Sequence, residues 1–286
     1  MKVLIIGGNR FMGKHLSTKL VLMGNEVDVF NRSGTGISNV NIIQGDRNNR
    51  EDLEEVDIVK YDCIVDMCLY KVKQFNLMKD LITKDTNYIF VSSVAVDYTE
   101  AFGEYGIEKK NLEKELSKTN WNFKIIRPTY VVGLGAHRPR LGYFINKLKN
   151  DETIELSGQE NHPINLVFVQ DVIKCLLKLV EDKSRTYGVY NICSDESITI
   201  NELIDFIKDE LGIKNHKVQD DKELPSAFDK LAMIPNQSVE SDNSEIKKKY
   251  GISFTDVRVG IKEYIKEINI KRGWRGQRLG IYHNEN

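Results

Sequence analysis

Three side chains in this 286-residue chain have the types and spacing needed to move a proton to or from a substrate oxygen. Ser93 closes the apolar run Ile89-Phe90-Val91-Ser92-Ser93, and Tyr105 and Lys109 follow it within the stretch Tyr105-Gly106-Ile107-Glu108-Lys109. A four-residue separation puts Tyr105 and Lys109 one turn apart on the same helix face. A phenol, with a pKa of about 10, is a poor acid or base at neutral pH unless a neighbouring cation stabilises its anion. In this grouping Tyr105 would exchange the proton, Lys109 would tune it, and Ser93 would polarise the substrate oxygen. The spacing arises easily by chance, and Tyr143 and Lys147 repeat it. That second pair lacks an upstream serine strand and reads as ordinary helix.

A second constellation lies at the N-terminus, where the apolar run 2–6 leads into Gly7-Gly8-Asn9-Arg10-Phe11-Met12-Gly13 and then a helical pattern. Strand, tight turn and helix start are what a dinucleotide pyrophosphate requires. Gly7 permits the turn, Gly13 allows the helix to pack closely on the strand, and the first helical N–H groups face the phosphates. Asn9, Arg10, Phe11 and Met12 complete the loop as candidate cofactor contacts. Arg10 stands where the usual fingerprint has a glycine; it either lies along the phosphates, the favoured reading, or points to solvent.

The end of the second strand bears on which dinucleotide is bound. An acidic residue there would hold both ribose hydroxyls of NAD, but Asn31 takes its place and Arg32 and Ser33 follow. The cofactor is therefore read as NADP or NAD, with a slight lean to NADP. Arg32 stacking on adenine, or simply solvated, is an equal alternative. Asp46, after the third strand, is placed to meet the adenine edge, or else forms a turn.

Positioning these groups requires strands that alternate with helices. Residues 2–6, 26–30, 41–43, 62–66, 87–91 and 122–126 read as strands, and 12–23, 74–82 and 105–118 as amphipathic helices. This alternation predicts an α/β chain with a Rossmann-type, doubly wound parallel sheet. After Pro128 come a Gly/Arg/Pro loop at 133–139 and helices near 141–150, 171–181, 200–211 and 257–266, which predict a smaller helix-rich lobe. The expected division is 1–130 for the dinucleotide-binding domain, with 164–195 returning to it, 131–163 and 196–270 for a substrate lobe, and 271–286 for a basic tail.

The composition narrows the class of partner. Forty-one Lys and Arg against 42 Asp and Glu give a net charge of −1, so no long-range field draws in nucleic acid or an anionic membrane. Four cysteines (Cys63, Cys68, Cys175 and Cys193) form no C-x-x-C pair and fit free thiols in a reducing compartment. The first apolar run is too short for a signal segment or a membrane span, and a cytoplasmic location is expected. His137 and His162 lack metal-ligand spacing, and no metal is expected.

Taken together, these landmarks resemble the NAD-dependent epimerase/dehydratase family, the extended or atypical branch of short-chain dehydrogenases. They run from Gly7–Gly13 through Phe30-Asn31-Arg32-Ser33, Gly45-Asp46-Arg47, Val91-Ser92-Ser93 and Tyr105–Lys109 to Arg127-Pro128-Thr129-Tyr130-Val131-Val132-Gly133 and Val167-Phe168-Val169-Gln170-Asp171. The Arg in the glycine loop is similar to that of chloroplast stem-loop-binding proteins. The resemblance implies bound NAD(P), a Tyr–Lys acid/base pair assisted by Ser, and cofactor contacts from Arg47, Cys68 and Pro128. Two departures bear on the substrate. Val94-Ala95 replaces the Asp-Glu pair of sugar-nucleotide dehydratases, and Ile164-Asn165-Leu166 replaces an Arg that contacts the diphosphate in UDP-sugar epimerases. His137, Arg138 and Arg140 are candidate substrate contacts in the loop after Gly133, the two arginines able to take over that anionic contact.

The leading expectation is an NAD(P)-dependent oxidoreductase or epimerase acting on a carbinol or ketone of a small molecule, such as a sugar or nucleotide-sugar. The rival is a dinucleotide-binding, RNA-associated or regulatory protein without turnover, in which Trp274 among Arg272, Arg275 and Arg278 would stack on a base. Near-neutral charge argues against nucleic acid, and a homodimer is compatible with either reading.

Overall fold

Residues 2–6 carry five consecutive apolar or long-stemmed side chains, the pattern of a strand buried on both faces. A computed structural model, which describes residues 1–136, 140–156, 161–220 and 237–275, places them as β1, Lys2–Ile6. Val3 and Ile5 pack into the hydrophobic cluster on one side of the sheet, and Leu4 and Ile6 into the cluster on the other. Around β1 a seven-stranded sheet assembles from β2 (Glu26–Asn31), β3 (Asn41–Gln44), β4 (Cys63–Asp66), β5 (Asn87–Val91), β6 (Asn122–Pro128) and β10 (Gly188–Ile192). Its order is β10-β6-β5-β4-β1-β2-β3, and every neighbouring pair is parallel.

One face is covered by α1 (Phe11–Leu22) and α6 (Val169–Glu181), through Leu16, Leu20, Val172 and Leu176. The other carries α2 (Arg50–Glu54), α3 (Val72–Met78) and α4 (Thr99–Leu116), through Leu53, Phe75, Leu112 and Leu116. The doubly wound sheet expected from the strand and helix alternation is thus observed. Helix α4 begins earlier than the periodicity at 105–118 predicts. Its first turn is separated from the rest by Gly103, at φ 55° and ψ −137°, a conformation that favours glycine.

The remaining elements form a second core. Strands β7 (Tyr130–Val132), β9 (Ile164–Phe168) and β11 (Ser197–Ile198) make a small sheet, and β8 (Ile154–Leu156) pairs with β12 (Val218–Asp220). Against them lie α5 (Arg140–Lys149), α7 (Ile200–Leu211), α8 (Ser244–Tyr250) and α9 (Val257–Arg275). Phe144, Ile145, Leu203, Ile207, Ile261 and Ile265 meet in one apolar cluster. The segment 164–195 therefore divides, with β9 in the small sheet and α6 and β10 on the large one. Helix α9 continues to Arg275, past the position where the basic tail was expected to begin, because Lys and Arg sustain a helix well. The rest of that tail, from 276, lies outside the described residues. No helix among the described residues is long and apolar enough to cross a membrane.

Candidate active site

Strand order reverses between β1 and β4: the chain builds outward from β1 through β2 and β3, then restarts at β4 in the other direction. The loops leaving the carboxyl ends of these two strands cannot cover each other, which opens a crevice there. Gly7 leaves β1 with φ 87°. A Cβ on Gly13 would lie 2.6 Å from Gly8 Cα and 2.8 Å from the Gly7 carbonyl oxygen, so only glycine lets α1 start this close to the strand. The result is a backbone cradle at a helix N-terminus, which fits a dinucleotide pyrophosphate.

The expected contacts of that loop separate into distinct positions. Arg10 is the exposed N-cap of α1. Phe11 adopts φ 34°, unusual for a bulky residue, and Met12 is half-buried beneath the loop against the large core. Asn9 reaches away from the cradle and donates from Nδ2 to Ser33 Oγ at 2.7 Å. Ser33 in turn donates to Asn31 Oδ1 at 2.8 Å, and Asn31 Nδ2 donates to the Thr35 carbonyl at 2.9 Å. The buried Asn31 side chain is thereby fixed from the loop that follows it, whereas Arg32 stands exposed with its guanidinium 4.0 Å from Asp46. Asp46 turns back on its own loop, and bonds from the Asn48 backbone and side chain hold its pKa below the ordinary carboxylate value.

Arg47, expected among the cofactor contacts, points inward and is 6% exposed. It grips Asp66 with two bonds of 2.6 and 3.0 Å, and its Nη1 also approaches Cys68 Sγ at 3.4 Å. Cys68 underlies Gly7, where a Cβ would meet its sulfur at 2.9 Å. Burial raises the Cys68 thiol pKa, which keeps it protonated. Pro128 ends β6 as a buried residue, opposite Ile192 of β10.

At the carboxyl end of β5, Ser93 caps a 3-10 turn over Val94–Val96, and its Oγ accepts the Ala95 N–H at 3.2 Å. Helix α4 packs on this turn, with Gly106 against the Ala95 carbonyl, which brings Tyr105 close enough to Ser93 for the serine hydroxyl to act on the phenol. Tyr105 keeps 38% of its surface exposed. Burial raises its pKa, while the Ser93 hydroxyl and the charge of Arg140 lower it. Lys109 is 1% exposed, and its Nζ donates to the carbonyls of Leu69 at 2.7 Å and Val91 at 2.9 Å. Burial depresses the ammonium to about 7, an effect that Asp66 opposes. Two of its three donors are engaged by the backbone, which leaves one for a ribose hydroxyl or for the phenol side.

Ser93, Tyr105, Lys109, Cys68 and the Gly7–Gly13 loop therefore converge at the crevice, while Asn9, Asn31, Arg32, Ser33 and Asp46 gather at its far end beside β2. Arg140 opens α5 with its guanidinium 4.9 Å above the Tyr130 ring. His137 and Arg138 lie outside the described residues. The second pair, Tyr143 and Lys147, sits on α5 with Lys147 bound to Glu152 at 3.3 Å. No cluster of His, Cys, Asp or Glu that could hold a metal occurs among the described residues.

Two positioning residues carry no sequence signal of their own. Glu113, one turn beyond Lys109, accepts from Ser92 Oγ at 2.6 Å and from Arg127 Nε at 3.0 Å, tying α4 to the ends of β5 and β6. Gly106 is the other. A Cβ there would lie 2.5 Å from the Ala95 carbonyl oxygen. The adjacent Tyr105 invited attention to itself, and only the packing reveals what its neighbour does.

Comparison with known proteins agrees with this geometry. A chloroplast stem-loop binding protein of 41 kDa from Arabidopsis thaliana is 24% identical over 230 residues, and this chain spans 61% of that relative's length. Among solved structures, a UDP-glucose 4-epimerase from Thermotoga maritima, crystallised with UDP-glucose, superposes with a TM-score of 0.76 at 17% identity, covering 95% of this chain and 99% of the other. A UDP-glucose 4-epimerase of Thermus thermophilus in complex with NAD gives 0.73 at 16% identity, with 94% and 99% covered. Both likenesses establish the fold. Residues 96–193, which include Tyr105 and Lys109, match the sequence model of the NAD dependent epimerase/dehydratase family, and the chain resembles that family as its motifs implied.

Proposed function

We propose that this chain is an NAD(P)-dependent oxidoreductase or epimerase that acts on a carbinol or ketone carbon of a small molecule. The observation that carries this reading is the meeting of Ser93, Tyr105 and Lys109 beside a glycine cradle at the switch point of the sheet. When bound, the nicotinamide supplies or accepts the hydride. Ser93 orients the substrate oxygen, and the Tyr105 hydroxyl gives up or takes the proton at that oxygen. Lys109, held by two backbone carbonyls, keeps a fixed distance from the phenol and presents its remaining donor to the ribose.

A nucleotide-sugar is the substrate class that the structural neighbours support, since their names include UDP-glucose epimerases and a dTDP-glucose 4,6-dehydratase crystallised with NAD. Arg140 is the cation placed to meet its anionic part. For the cofactor, NAD in several neighbours and the inward-turned Asn31 with exposed Arg32 pull in different directions; the latter favours NADP. RNA binding rests on the name of the stem-loop-binding relative and is opposed by a net charge of −1.

Mass spectrometry of the purified protein, under native and then denaturing conditions, tests the reading. Tightly retained NAD supports an epimerase cycle and removes the lean to NADP. An empty site that titrates with NADPH supports a reductase, and failure to bind either dinucleotide overturns the proposal.

A further inference from the structure

We propose that the buried Arg47–Asp66 pair is a positioning device that holds the turn 66–70, so that this turn fixes the Gly7 cradle on one side and the Lys109 ammonium on the other. Asp66 is fully buried, and its carboxylate is saturated. Arg47 Nη1 and Nη2 reach it at 2.6 and 3.0 Å, the Tyr88 hydroxyl at 2.8 Å and the Cys68 N–H at 3.2 Å. A carboxylate with four donors cannot rotate without losing bonds that water does not replace. Arg47 is fixed in turn, since its nitrogens also reach Cys68 Sγ at 3.4 Å and Met78 Sδ at 3.2 Å.

The turn built on this pair touches both halves of the site. Cys68 Sγ occupies the space beneath Gly7, and the Leu69 carbonyl accepts from Lys109 Nζ at 2.7 Å. Two apolar side chains would fill the same volume at no desolvation cost, so packing alone gives little reason for a buried ion pair. Fixing a backbone turn in one geometry does give such a reason. The charged and titratable groups that face Lys109 are Asp66 and Arg47, Cys68, and Glu113 from its own helix, with the rings of Tyr70, Phe90 and Tyr105 around it. The roles of Lys109 and the cradle rest on the proposed function; the coupling between them and the pair does not.

NMR of the ligand-free protein carrying 15N-lysine follows the Lys109 ammonium directly. Arg47→Met is expected to raise its titration midpoint and Asp66→Asn to lower it, each by about 1 pH unit. Shifts of both single variants in the same direction, as general loosening would produce, or no shift in either, overturn the proposal. Should a single variant not fold, the double variant decides, because it buries no unpaired charge. Its NADH dissociation constant is expected to rise about tenfold; unchanged affinity in the folded double variant overturns the proposal. If the wild type binds neither NADH nor NADPH, the functional reading fails, and the lysine titrations still decide the coupling.

Discussion

Gly106 lies so close to Ala95 that any side chain at the glycine would stand 2.5 Å from the Ala95 carbonyl oxygen. Ala95 belongs to the turn headed by Ser93, and Gly106 directly follows Tyr105, so the absent side chain sets the separation of serine and phenol. Gly106→Ala improves helix propensity by about 1 kcal/mol. It is nevertheless expected to destabilise the fold by about 1–3 kcal/mol through overpacking and to lower kcat/KM at least about tenfold. Urea unfolding and steady-state turnover check this, and unchanged values in both would mean that the helix is free to slide.

Tyr105→Phe keeps the ring and removes the proton. Dinucleotide affinity is expected to stay within a few-fold while turnover falls by about 10²–10⁴. Lys147→Met, in the look-alike pair on α5, is expected to leave turnover unchanged and stability within about 0.5 kcal/mol. Equal losses in the two variants would sink the assignment of Tyr105.

The buried ammonium of Lys109 predicts an unusual pH dependence of stability. Its pKa is about 7 in the native state, below the value of about 10.4 for an exposed lysine. Between these values the unfolded chain binds more protons, so wild-type stability rises with pH from 7 towards 10, and the full cost of burial is present below 7. Lys109→Met removes this gain. The difference in unfolding free energy between wild type and variant is expected to grow by about 3 kcal/mol in favour of the wild type between pH 6.5 and 9.5. Parallel urea-unfolding profiles across that range would contradict it.

Gly13→Ala places a methyl group 2.6 Å from Gly8 Cα and must push α1 away from the cradle. Calorimetric titration is expected to show dinucleotide affinity reduced at least about tenfold in a variant that remains folded. Retained affinity would mean that the phosphates lie elsewhere.

Sequence and structure agree where local chemistry decides the outcome. The Gly7–Gly13 turn, the strand leading to Ser93 and the helical spacing of Tyr105 and Lys109 are properties of short segments, and each stands where the pattern implied. Residues whose role depends on packing carry no such local mark. Arg47 follows Asp46 in a loop and gives no sign that it turns inward, because Asp66, its partner, lies nineteen positions away on another strand. Glu113 resembles any exposed helix acid until Arg127 and Ser92 are brought beside it. Gly103 breaks the periodicity between the two parts of α4, so the sequence pattern shows only the second.

The last strand of the large sheet, Gly188–Ile192, pairs with β6, which ends at Pro128, so the sheet closes on a segment made much later. A ribosome releasing this chain therefore exposes the outer edge of β6 until residue 192 has emerged. An uncovered strand edge is a template for unwanted pairing with other chains. A fragment ending at residue 130 is accordingly expected to aggregate where one ending at 195 stays dispersed, which light scattering of the two translation products would register. Equal solubility would mean that β6 is shielded in some other way while the chain is being made. In this protein the order of synthesis and the order of the strands disagree, and the interval between them is the period of greatest exposure to misassembly.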